Sequence, residues 1–176
     1  YTEAEIFSPC TRLADEAFCD AVLAALPRVR RFFVPIYGAT AQAHDAVVGR
    51  PGAFERVLRG VDLLLRKEGP GSVTFLSVLV RDNLAHVASL LAFVRSRGLQ
   101  FSMHLPYPSF ESRADRYYSA APRQTDAVLA VRDAAGVPSD GRMLTLEGAA
   151  PCVMFEHVRI ERALGRSDIR MMDSGA

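Results

Sequence analysis

"VRRFFVPIYGATAQAHDAVVGRPGAFERVLRGVDLLL", residues 29–65, contains the change of hydrophobic period that decides the fold. Its first part, through Ile36 and Tyr37, is an apolar run of strand length closed by Gly38. From Ala53 the apolar positions become Phe54, Val57, Leu58, Val61 and Leu65, the stripe of a helix with one buried face. Between them lie the pair His44-Asp45 and the turn-forming Gly-Arg-Pro-Gly at 49–52. The stretch therefore reads as strand, connecting loop and helix, with Gly49 and Gly52 supplying turns and Phe54 anchoring the helix.

The same alternation extends in both directions. Upstream, residues 4–10 form a short strand ending at Pro9. Asp15 and Glu16 then open a helix striped by Phe18, Cys19, Val22, Leu23 and Leu26 and stopped at Pro27. Downstream, Gly-Pro-Gly at 69–71 precedes residues 72–80, a third strand apolar enough to be buried on both faces. A helix striped by Leu84, Val87, Leu91 and Val94 follows and ends at Gly98, and residues 99–108 give a fourth strand. Beyond an irregular excursion, a helix over 125–135 and a fifth strand over 142–148 are expected.

Strand and helix alternating in this way predict an α/β fold with parallel strands and outer helices. A full (β/α)₈ barrel takes about 250 residues, so 176 residues can form only a partial β/α barrel. A doubly wound open sheet is the other candidate, although no GxGxxG or GxxxxGKS fingerprint supports a nucleotide-binding version. The expected division is a partial barrel over 1–148 and an extension over 149–176. The chain starts at Tyr1 and enters strand-like sequence at once, as a fragment of a longer protein would.

Composition narrows the function classes. With 21 basic and 20 acidic residues, no charge imbalance argues for nucleic acid or an anionic membrane. No apolar run reaches the roughly 18 residues needed to span a bilayer. The cysteines Cys10, Cys19 and Cys152 do not form a disulfide framework, which points to a reducing cytoplasm.

Three sets of residues carry candidate chemistry. His44 and Asp45, joined by His104, have the residue types of a metal-dependent hydrolase. However, the HxxxH or HExxH spacing that builds a ligand set is absent, so capping or loop hydrogen bonding is the plainer role. Cys19 lies on an apolar helix face, as a small buried hydrophobe would, whereas Cys152 follows a proline and is a candidate auxiliary ligand. The third set lies at the strand ends, where parallel α/β proteins bind ligands. Pro35, Tyr37, Arg81, His104 and Tyr107 fall there, and Arg81 has the guanidinium that clamps a carboxylate or phosphate.

Taken in order, residues 5–110 resemble the second half of a radical S-adenosylmethionine (SAM) enzyme domain. Residues 29–65 are similar to that family's fourth strand, its loop with an "HD" and a Gly-Ala-Phe element, and the following helix. Residues 73–98 resemble the next unit, with Arg81 and Asn83 after the strand, and residues 99–110 the sixth strand. "SPC" at 8–10 stands where the family usually has "TNG". A narrower similarity is to peptide maturases of the His-Xaa-Ser type, which implies a peptide or small-molecule substrate.

The resemblance implies a [4Fe-4S] cluster binding S-adenosylmethionine and reductive cleavage to a 5′-deoxyadenosyl radical. It further implies that Arg81, Pro35, Tyr37 and Asn83 wall the cofactor, while His104 and Tyr107 line the substrate pocket. The family's CxxxCxxC loop is absent from these residues, so the cluster is expected in the full-length protein and not on this fragment. An open sheet edge would favour self-association. A cluster-less α/β binding or scaffold domain acting through a partner is the alternative.

Overall fold

The computed structural model describes residues 4–106, 122–123, 126–127, 130–131, 133 and 144–147, the last group as backbone. The strands are β1 (Ala4–Phe7), β2 (Val29–Pro35), β3 (Val73–Val78), β4 (Gln100–His104) and β5 (Leu144–Glu147). The helices are α1 (Glu16–Ala25), α2 (Ala41–Val48), α3 (Ala53–Glu68), α4 (Arg81–Leu84) and α5 (Val87–Ser96). Residues 126, 127, 130, 131 and 133 are helical as well, within the helix expected over 125–135.

All neighbouring strands pair in parallel, and their spatial order is β1-β2-β3-β4-β5, identical to their order in the chain. This order separates the two candidate architectures. A doubly wound sheet reverses direction at a switch point and sends helices to both faces. An unbroken sequential order, with the right-handed crossovers parallel strands require, puts every crossover on one face. That is the winding of a partial β/α barrel.

Burial follows the same division. On the helix side Phe32, Val34, Val73, Phe75, Phe101 and Met103 are buried against Val57, Val61 and Leu64 of α3 and Leu90, Leu91 and Val94 of α5. On the other face Phe33, Pro35, Leu76, Val78 and His104 are only half-buried. The expectation that the third strand is buried on both faces holds in part: on this face Thr74 is buried, while Leu76 and Val78 are half-buried. Phe7 on edge strand β1 is 67% exposed and stacks on Phe33 at 4.7 Å.

Local chemistry sets the helix limits. The Asp15 carboxylate accepts from the Phe18 N–H at 2.9 Å and caps α1. Two expected boundaries change. The connector after β2 contains a helix of its own, α2, started by the Thr40 hydroxyl accepting from the Ala43 N–H and ended at Gly49 with φ 66°. The helix expected after β3 is broken into α4 and α5.

Helix α3 is the central brace. Its buried positions include Gly60, and a Cβ there would collide with the Cys10 carbonyl. The 3-10 turn Thr11–Ala14 can therefore lie directly on α3 and bury Leu13. Salt bridges from Lys67 to Asp20 (2.6 Å) and from Arg97 to Asp62 (2.8 Å) tie α3 to α1 and to the end of α5.

Candidate functional site

Because the strands are parallel, their carboxyl ends open onto one rim. Cys10 lies beyond β1, Tyr37 beyond β2, Val80 and Arg81 beyond β3, and Leu105 beyond β4. The register sets Pro35 beside Leu76 and Val78 beside His104, with the backbone of Glu147 next in the row. Apolar side chains thus form a wall on the open face, and Tyr37 and His104 stand near its upper edge.

His104 closes β4, half-buried, with its Nε2 3.0 Å from the Ser102 hydroxyl. Tyr37 is also half-buried, and burial pushes its phenol above the ordinary value, so the neutral hydroxyl persists at physiological pH. Arg81 is exposed at the first position of α4 and has an interaction partner.

Asn83 is 2% exposed and serves the backbone. Its Oδ1 accepts from the Val80 N–H and its Nδ2 donates to the Val78 carbonyl, both at 2.9 Å. Those groups lie where β3 ends and α4 has yet to begin, so neither has a regular partner. The amide supplies both and fixes the path that delivers Arg81 to the rim.

His44 and Asp45 have structural occupations. His44 is 2% exposed, and its Nδ1 accepts from the Tyr37 N–H at 3.1 Å, which places the imidazole proton on Nε2. Burial lowers its pKa and the adjacent Asp45 charge raises it; burial prevails and the ring stays neutral. It lies 5.8 Å from the Tyr37 ring and 5.7 Å from Phe54, between the rim and the core. The Asp45 carboxylate accepts from the Phe54 N–H (2.8 Å) and the Gly52 N–H (2.5 Å). These bonds cap α3, whose own N-cap residue, Gly52, has no side chain to do so. The Phe54 bond is the largest of the influences holding this carboxyl below its ordinary range.

The metal-hydrolase reading of His44, Asp45 and His104 thus meets a His44 nitrogen and an Asp45 carboxylate already engaged. Among the described residues no group of three or more His, Cys, Asp or Glu is placed to hold a metal ion. Nor do the described cysteines fit an iron–sulfur cluster. Cys10 and Cys19 are both buried, and burial pushes the Cys10 thiol up to about 12, far from the thiolate that iron requires. The Cys10 thiol donates instead to the Ser8 carbonyl at 3.4 Å.

Of the sequence-derived site residues, the fold brings Pro35, Tyr37, Arg81, Asn83 and His104 to one end of the sheet. Tyr107 and Cys152 lie outside the described residues. Ser102 was not anticipated, although its place two residues before His104 in a strand puts it on the same face.

No protein-family profile matches the chain. Over 101 residues it is 28% identical to a protein of Methanosarcina barkeri (strain Fusaro / DSM 804) described as an AdoMet-dependent heme synthase. The chain is similar to an AdoMet-dependent enzyme. The match takes in 57% of this chain and 28% of the relative's length. It supports, at the level of the superfamily, the radical SAM resemblance read from the sequence. Among the described residues no helix is long and apolar enough to cross a membrane.

Proposed function

We propose that this chain forms part of the AdoMet-binding wall of a radical SAM enzyme with a β/α barrel. The observation that carries the reading is the unbroken parallel order of the strands, which collects Tyr37, Arg81 and His104 at one rim. The similarity to an AdoMet-dependent enzyme supports it.

AdoMet joins a flat purine to a ribose and a zwitterionic methionine. A site for it needs an apolar wall with a few polar groups at its edge. Pro35, Leu76 and Val78 offer the wall, and Tyr37, Ser102 and His104 offer hydroxyl and imidazole groups. In this reading the Arg81 guanidinium pairs with the methionine carboxylate or contacts the ribose, and Asn83 positions Arg81 through the backbone of residues 78–80. A [4Fe-4S] cluster would be held by a CxxxCxxC loop of the full-length protein, a motif these 176 residues do not contain. The family resemblance assigns His104 and Tyr107 to the substrate pocket, and the similarity of the His44-Asp45 and Gly-Ala-Phe pattern to peptide maturases makes a peptide the candidate substrate.

The test uses the complete gene product, reconstituted anaerobically with iron and sulfide and assayed for 5′-deoxyadenosine. Turnover of AdoMet is expected, with Arg81→Ala raising the KM for AdoMet about tenfold, equivalent to the loss of one charge-assisted contact. A folded, reconstituted protein that neither binds nor cleaves AdoMet would refute the reading and favour a cluster-less binding subunit.

A further inference from the structure

Away from the open face, three arginines from two separate parts of the chain line one hollow. Arg12 comes from the 3-10 turn after β1, and Arg56 and Arg59 come from the first two turns of α3. The hollow measures about 470 Å³, with Phe18 and Asp15 completing its wall. Arg12 is held in place, its guanidinium 4.0 Å above the Phe18 ring. Arg56 donates to the Pro51 carbonyl at 3.2 Å. The close approach at Gly60 that seats the turn on α3 also brings Arg12 to its two counterparts.

Three permanent cations around one hollow give it a positive potential that attracts negative charge. Asp15 supplies a single carboxylate, and one of its oxygens is committed to capping α1. The lining therefore keeps an excess of two positive charges. A second hollow of about 300 Å³ adjoins the first, sharing Thr11, Arg12 and Phe18. Its walls are mainly apolar and include Ile6, Leu13, Val22 and Phe32.

The geometry points to a binding site for an organic phosphate, with its phosphate among Arg12, Arg56 and Arg59 and its apolar body in the hollow beside Phe18. A phosphate presents several acceptor oxygens to several guanidinium forks at once, which one carboxylate does not. The site lies on the helix side of the sheet and does not depend on the AdoMet reading.

Calorimetric titration of the full chain with phenyl phosphate and with inorganic phosphate tests it. Phenyl phosphate should bind saturably and about tenfold more tightly than inorganic phosphate, the equivalent of about 1.4 kcal/mol from the apolar part. Arg59→Ala and Arg56→Ala should each weaken phenyl phosphate binding by about tenfold or more, with Arg56→Lys intermediate. Arg59 is exposed, so Arg59→Ala should fold even if Arg56→Ala does not. Absence of saturable binding, or equal affinity in the parent and Arg59→Ala, overturns the site. Equal affinity for the two phosphates overturns the organic-phosphate assignment.

Discussion

Replacing Gly60 by alanine sets two calculable effects against each other. In a helix interior alanine is favoured over glycine by about 1 kcal/mol. At Gly60, however, the new Cβ would meet the Cys10 carbonyl, a backbone atom that cannot swing aside. The 3-10 turn must then lift from α3. Leu13, 4% exposed, and Cys10, 1% exposed, would lose much of their burial. Exposing a leucine costs about 2 kcal/mol, and overpacking adds about 1 kcal/mol or more.

The collision should win, leaving a net destabilisation of about 2 kcal/mol, or about 4–8 °C in Tm for a chain of this size. Gly71→Ala is the control, because a Cβ there meets nothing within 4 Å. A second readout comes from thiol labelling in a Cys152→Ser background. The Cys10 thiol, buried and with a pKa of about 12, should react slowly in the parent and much faster in Gly60→Ala. A Gly60→Ala protein that melts at or above the parent, with Cys10 still protected, would refute this account of the packing.

Asn83→Ala strands the Val80 N–H and the Val78 carbonyl and should cost about 1–3 kcal/mol in urea denaturation. His44, with its folded pKa below the ordinary 6.5, binds a proton more readily when unfolded. Stability should therefore fall as pH drops below about 6.5 towards the folded value, and His44→Gln, measured across the same range, should remove that slope. The depressed Asp45 pKa acts in a more acid window: its contribution is complete above the ordinary 3.8 and is lost as pH falls through the folded value. Asp45→Asn should flatten this acid limb and fray the start of α3, seen as faster amide exchange at Gly52 and Phe54.

Much of the architecture was legible because strands and long helices announce themselves through the period of their apolar positions. The stripe at Phe54, Val57 and Val61 placed α3, and Asp15 marked the start of α1. Helix α2 escaped because its eight residues have little apolar contrast, and Thr40 as a capping residue was the usable signal. The break between α4 and α5 was hidden because the Asn83 side chain serves backbone groups upstream of it. The structural work of His44 and Asp45 was half legible. Capping was the plainer reading, but the partners Tyr37, Gly52 and Phe54 are set by how the chain turns back on itself.

By itself the sequence determined the elements and the class, since burying one face of a strand or helix imposes a local period that composition records. Only the tertiary structure decided that the strands run in unbroken spatial order and which sheet face stays open. It alone brought Arg12 to Arg56 and Arg59, and showed that Gly60 is needed where any good helix former would satisfy the local pattern. These are long-range outcomes of packing, settled by contacts between residues dozens of positions apart that leave no periodic trace.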